Sequence, residues 1–132
     1  MGEAENTKVI QGAYEAFGRG DTQAILDRLD DNVVWHAWYG AGQKVPMGGL
    51  RRGKAAVGEF FKQIAQHLTF SRFEPREFIA TGDKVVALGH YTGKTSAGKD
   101  YDSDFAMVFT LRNGKVTHFQ EFNDSAAINA AF

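Results

Sequence analysis

Residues 82–123 read GDKVVALGHYTGKTSAGKDYDSDFAMVFTLRNGKVTHFQEFN. Three runs rich in β-branched and aromatic side chains, 84–94, 100–111 and 115–123, are separated by turn-forming residues. Ser96-Ala97-Gly98 divides the first run from the second. Asn113-Gly114, the strongest short hairpin signal in the chain, divides the second from the third. Gly82-Asp83 links the first run back to another, Phe70 to Ala80, in which Pro75 predicts an edge or bulged strand. Connections this short join antiparallel neighbours. The second half of the chain therefore reads as a hairpin-linked sheet.

The first half has a different period. Val9, Ile10, Ala13, Tyr14 and Phe17 recur at the spacing of one helical face, and Gly18 and Gly20 end that helix. Asp21 is suited to cap a second, shorter helix carrying Ile25, Leu26 and Leu29. After a break at Leu29-Asp30-Asp31-Asn32, Val33 to Tyr39 has a strand signature. Residues 40–53, with Gly40, Gly42, Pro46, Gly48, Gly49 and Gly53, predict a loop. A third helix is expected from Lys54 to about Leu68, striped by Val57, Phe60, Phe61, Ile64 and Leu68. Residues 124–132 predict a short helical or frayed tail. The order α-α-β-α-β-β-β-β predicts one α+β domain over residues 1–132, with helices gathered on one face of an antiparallel sheet. It contains no βαβ unit, phosphate loop or dinucleotide fingerprint.

Composition bounds the function. The chain has 132 residues, of which 43% are hydrophobic and 23% charged, values of an ordinary globular domain. Fifteen Lys and Arg against sixteen Asp and Glu leave a net charge of −1, so a whole-domain basic field for nucleic acid or anionic lipid is missing. The absence of cysteine excludes disulfides, thiol nucleophiles and Cys-containing zinc sites. No apolar run reaches the roughly 20 residues of a membrane span, and the acidic N-terminus MGEAENTKVI is unlike a secretory signal. The expectation is a cytoplasmic protein, and Asn123-Asp124-Ser125 is then a chance sequon. Aromatics at 13%, fifteen Gly and two Pro suit a twisted sheet with tight turns around bulky side chains.

Several motifs in order along the chain resemble one family. They are Phe17-Gly18-Arg19-Gly20-Asp21, Leu29 to Trp35, Gly49 to Val57, Gly82-Asp83-Lys84-Val85-Val86 and Asn113-Gly114-Lys115-Val116. Together they resemble the SnoaL-like branch of the NTF2-like superfamily. The resemblance implies a cystatin-like α+β barrel: a conical, curved antiparallel sheet wrapped around three helices, closed at one end, with an apolar pocket inside. It also implies, commonly, a homodimer. Its members include polyketide cyclases, steroid isomerases, epoxide hydrolases and dehydratases, so the chemistry must be argued from the site.

The resemblance places His36 where steroid isomerases carry a general-base carboxylate, and Glu121 where epoxide hydrolases carry a catalytic acid. Alternation puts Phe119, Glu121 and Asn123 on one face of the last run, with His118, Gln120 and Phe122 on the other. On the first run it groups Val34, His36 and Trp38, with Trp35 and Tyr39 opposite. With His36 and Glu121 turned inward, Val34, Trp38, Phe119 and Asn123 join them in the expected pocket. Phe105, Met107, Phe109 and Tyr91 are contributed by the neighbouring strands, and Tyr14, Phe17 and Phe60 by the helices. An imidazole facing a carboxylate across an aromatic cavity suits proton transfer on a carbon next to a carbonyl, and needs no cofactor. Asn123, Tyr14 or Tyr91 could hydrogen-bond a developing enolate oxygen.

Each candidate also has a purely structural reading. A buried Glu on a central strand also serves by hydrogen-bonding a neighbouring Trp, Tyr or His. Tyr14, Trp38, Met107 and Phe119 read equally as core, and Arg51 and Arg52 as solvated loop charges with carboxylate capture as the alternative. His90 and His118 have the parity opposite to His36, so no metal site is expected. Steroid isomerases carry a catalytic tyrosine where this chain has Ala13, and a second acid where it has Met107. The paired Arg and Asp of epoxide hydrolases have no counterpart between Lys84 and Lys94. The function expected is binding of a small, largely apolar carbonyl compound, with isomerase, cyclase or dehydratase chemistry. The alternative is a binding protein without turnover. Phe105 to Leu111 is apolar on both faces, which predicts a second copy covering the outer sheet face.

Overall fold

A computed structural model describes residues 2–38 and 45–132. The expectations for Tyr39, Gly40 and Gly42 lie outside these residues. Among the described residues the helices are α1 (Glu3–Gly18), α2 (Thr22–Leu26), α3 (Lys54–His67) and α4 (Ser125–Ala130). The strands are β1 (Leu29–Ala37), β2 (Gly49–Arg52), β3 (Leu68–Thr81), β4 (Lys84–Thr95), β5 (Asp100–Arg112) and β6 (Lys115–Asn123). None of the described helices is long and apolar enough to cross a membrane.

The helices start and stop for local reasons. The Asp21 carboxylate accepts a hydrogen bond from the Ala24 amide at 3.1 Å, capping α2 as expected. Asp124 caps α4 in the same way through the Ala127 amide, at 3.1 Å. The C-terminal tail is thus a docked helix, with Ile128 and Ala131 buried and the Phe132 ring edge-on to Trp38.

Two elements differ from expectation. β1 begins at Leu29, so Asp30-Asp31-Asn32 is already strand and not a break. β2 lies within the stretch expected to be a loop, and pairs antiparallel with β1 through Trp35↔Arg51 and Ala37↔Gly49. Its glycines hide a strand whose hydrogen bonds come from a partner already in place.

The six strands form one open sheet in the order β2-β1-β6-β5-β4-β3. Hairpins make β3 through β6 antiparallel, whereas β1 runs parallel to β6, with Trp35 beside Phe119 and His36 beside Gln120. The fully antiparallel expectation is corrected here. β1 reaches β6 from across α3 and three hairpins, so no tight turn dictates its direction.

The sheet curls around α1 and α3, which pack against β3, β4 and β1. Two glycines of β4 mark the bend. A Cβ on Gly89 would stand 2.2 Å from the Glu74 carbonyl oxygen, and one on Gly93 would stand 2.0 Å from that of Thr69. Neither distance is tolerable, so β3 can cross β4 this closely only because the side chains are absent. β3 carries register shifts between Phe70 and Arg72 and between Pro75 and Glu77, of which the second is the bulge anticipated at Pro75. The first changes the inward spacing from two residues to three, because Phe70 lies beside Gly93 and Phe73 beside Tyr91.

Candidate functional site

The inward faces of β4, β5 and β6 alternate cleanly. Val85, Ala87, Tyr91, Phe105, Met107, Phe109, Phe119 and Glu121 are buried. With α1 and α3 across from them, they leave a cavity of about 70 Å³. Its wall is mostly aromatic. Tyr14 and Phe17 come from α1, Phe60 and Phe61 from α3, Phe70 and Phe73 from β3. Phe17, Phe61, Phe70 and Phe73 are only half-buried, so the cavity approaches solvent between α1, α3 and β3.

Glu121 is the one carboxyl group among the described lining residues, and it is 1% exposed. The Tyr91 hydroxyl donates to its Oε2 at 2.6 Å, and the Trp38 side chain is also hydrogen-bonded to it. Asn123 Nδ2 donates in turn to the Tyr91 hydroxyl at 3.0 Å. Burial pushes the Glu121 carboxyl up to about 8, against the lowering effect of the Tyr91 and Trp38 hydrogen bonds. At neutral pH the group is mostly protonated and can donate. Burial, reinforced by the Glu121 charge, raises Tyr14 and Tyr91 well above the ordinary tyrosine value, so both keep their protons. The Tyr14 hydroxyl lies 2.8 Å from Met107 Sδ, to which it donates.

Of the residues expected at the site, Glu121, Tyr14, Phe17, Trp38, Phe60, Tyr91, Met107 and Phe119 line the cavity. Phe105 stands behind the wall, stacked on Tyr91 with centroids 5.4 Å apart. Asn123 is half-buried and acts on the site through the Tyr91 hydroxyl.

His36 and Val34 do not join them. Both are only half-buried and lie beside Gln120 and His118 on the outer face of the sheet, while Val33, Trp35 and Ala37 are buried. The expected pairing of His36 with Glu121 across the cavity is therefore corrected. The physical reason is Trp38, whose φ of +50° breaks the alternation. It is buried against Tyr91 next to an Ala37 that is buried too. Turning His36 inward on the resemblance, with alternation carrying Val34 along, places the strand upside down. His36, His90 and His118 thus share the outer face. Among the described residues no cluster of His, Cys, Asp or Glu is arranged to hold a metal ion.

Trp35 is the most consequential residue that the parity error concealed. It stacks on Phe119 at 3.9 Å and lines the cavity. Phe70 and Phe73 were concealed by the bulge between them, since strict alternation allows only one of the two to face inward.

The family model for a SnoaL-like domain matches residues 10–119. No curated protein matches the chain. Among solved structures, an NTF2-like protein from Burkholderia xenovorans LB400 superposes with a TM-score of 0.88, at 28% identity over 99% of this chain and 98% of that one. An NTF2-like protein of unknown function from Burkholderia pseudomallei K96243 superposes with a TM-score of 0.88, at 26% identity and 96% coverage of each chain. TerC, co-crystallised with polyporic acid, superposes with a TM-score of 0.85, at 31% identity over 96% of this chain and 97% of that one. The fold is NTF2-like.

Proposed function

This chain belongs to the SnoaL-like family, and from that premise we propose that it binds a small, largely apolar carbonyl compound in the aromatic cavity, where Glu121 is the acid/base group. The observation that carries the reading is a carboxyl buried in a mostly aromatic wall and hydrogen-bonded to Tyr91 and Trp38, with burial pushing it up to about 8. Such a group can donate to a carbonyl oxygen, and as its conjugate base remove a proton from the adjacent carbon. TerC, at 31% identity, was co-crystallised with polyporic acid, which supports a small-molecule ligand for this chain as well. A cavity of about 70 Å³ is small for a ring system, so the half-buried Phe17, Phe61, Phe70 and Phe73 must swing aside as a ligand enters.

The test is α-hydrogen exchange of aryl ketones in heavy water, followed by proton NMR. The wild type should accelerate exchange, and Glu121→Gln should lose at least about a hundredfold of that acceleration. Saturable binding without accelerated exchange would favour the binding protein without turnover. Equal exchange in the Glu121→Gln variant would remove Glu121 from the chemistry.

The same proposal extends to a homodimer through the outer face of the sheet. Leu50 and Phe122 are 52% and 43% exposed there, alongside the half-buried Val86, Leu88, Ala106 and Val108. Apolar side chains collected on one open sheet face are what a second copy would cover.

A further inference from the structure

Five side chains with nitrogen or oxygen atoms line the cavity among the described residues: Tyr14, Trp35, Trp38, Tyr91 and Glu121. Their hydrogen-bonding capacity can be accounted for group by group. Trp38 and Tyr91 are both hydrogen-bonded to Glu121, and the Tyr14 hydroxyl donates to Met107 Sδ. Trp35 stands apart. Among the described residues its buried Nε1 has no hydrogen-bond partner. Its ring is fixed by stacking on Phe119 and by contacts with Phe60 and Phe61 at 5.7 and 5.8 Å.

An indole N–H can only donate, and a buried donor without an acceptor is rare because leaving water unreplaced is costly. Trp35 is rigid and lines the cavity that its neighbours line. We infer that Trp35 is a specificity residue whose Nε1–H donates to an oxygen acceptor on the ligand, so that the cavity selects oxygenated compounds over hydrocarbons of the same shape. The inference rests on the cavity being a ligand site, as proposed above, and deepens it by naming the second polar contact. Trp35 on β1 lies beside Phe119, and Glu121 is two residues further along β6 on the same face. The two donors thus reach the ligand from adjacent strands, about one strand repeat apart. A ligand holding both is fixed in orientation as well as in place. A hydrocarbon would offer the indole no acceptor.

Acetophenone and α-methylstyrene test this directly, because they share a shape and differ in one acceptor. Wild-type protein should bind acetophenone more tightly. Trp35→Phe, which keeps a stacking ring and deletes the N–H, should lose about fivefold to tenfold in acetophenone affinity while α-methylstyrene binding is unchanged. A second measurement does not depend on the variant folding. In wild-type protein the Trp35 Nε1–H proton resonance should move downfield with acetophenone and not with α-methylstyrene. An unchanged preference in Trp35→Phe, or an indole resonance indifferent to acetophenone, overturns the role of Trp35 and leaves the cavity as a ligand site. Binding of neither compound at millimolar concentration overturns both.

Discussion

Glu121 holds its proton past neutrality because burial takes its carboxyl out of solvent, an effect that outweighs the hydrogen bonds from Tyr91 and Trp38. In the unfolded chain the group titrates near 4.5, and in the folded one near 8. The folded state therefore binds the proton more tightly. Stability from this group is fully present below the lower value, falls as pH rises through the window, and levels off above about 8. The total change is on the order of a few kcal/mol. Urea titrations at stepped pH should show wild-type stability declining across that window. Glu121→Gln should lack the decline and be the more stable protein at pH 9. Parallel curves for the two would show that the carboxyl is not buried as described. Glu121 was picked out by the family resemblance, and alternation along β6 grouped it with Phe119 and Asn123. His36 was misread because the resemblance turned it inward, and the positive φ at Trp38, which lets Trp38 face inward while His36 does not, leaves no trace in a pattern of apolar positions.

At the scale of elements, the hairpins and α3 could be read directly, since Gly82-Asp83, Asn113-Gly114 and the Phe60-Phe61-Ile64 stripe are local signals. β2 could not, because a four-residue strand rich in glycine and arginine exists only by virtue of the β1 edge beside it. The inward turn of both Phe70 and Phe73 was equally hidden, being a property of the β3 bulge. Curvature belongs to this scale as well. Gly93 has a buried inward position, where a methyl group would meet the Thr69 carbonyl oxygen at 2.0 Å and the Tyr101 hydroxyl at 2.5 Å. Gly93→Ala should cost about 1–3 kcal/mol or more in thermal or chemical denaturation, because backbone on one side cannot yield as a side chain can. Gly18→Ala, where nothing lies within 4 Å of the added carbon, is the matched control and should change stability little. Equal losses in the two variants would mean that β3 does not cross β4 so closely.

For the molecule as a whole, the ordered set of motifs led to the right superfamily and fold, and the α+β layering followed from the order of the elements. What no local signal could supply was the direction in which β1 runs beside β6. The apolar outer sheet face carries the remaining prediction. Phe122→Lys places a charge in the proposed contact, on the face of β6 opposite to Glu121. Sedimentation should then move from a dimer toward the 14.6 kDa of a single chain, with ketone binding retained. A wild type that already sediments as one chain would refute the contact.

The parallel seam between β1 and β6 has a consequence during synthesis. Trp35 and Phe119, whose rings stack across it, are separated by most of the chain. Closing so long a loop is slow, and nothing local rewards it beforehand. A nascent polypeptide halted on the ribosome before residue 115 could already hold its early helices and the β3–β5 meander, yet its greasy concave side would stand open with one wall missing. The hollow comes into being only when β6 is delivered, so any cellular helper that shields the unfinished protein must stay until that strand has emerged.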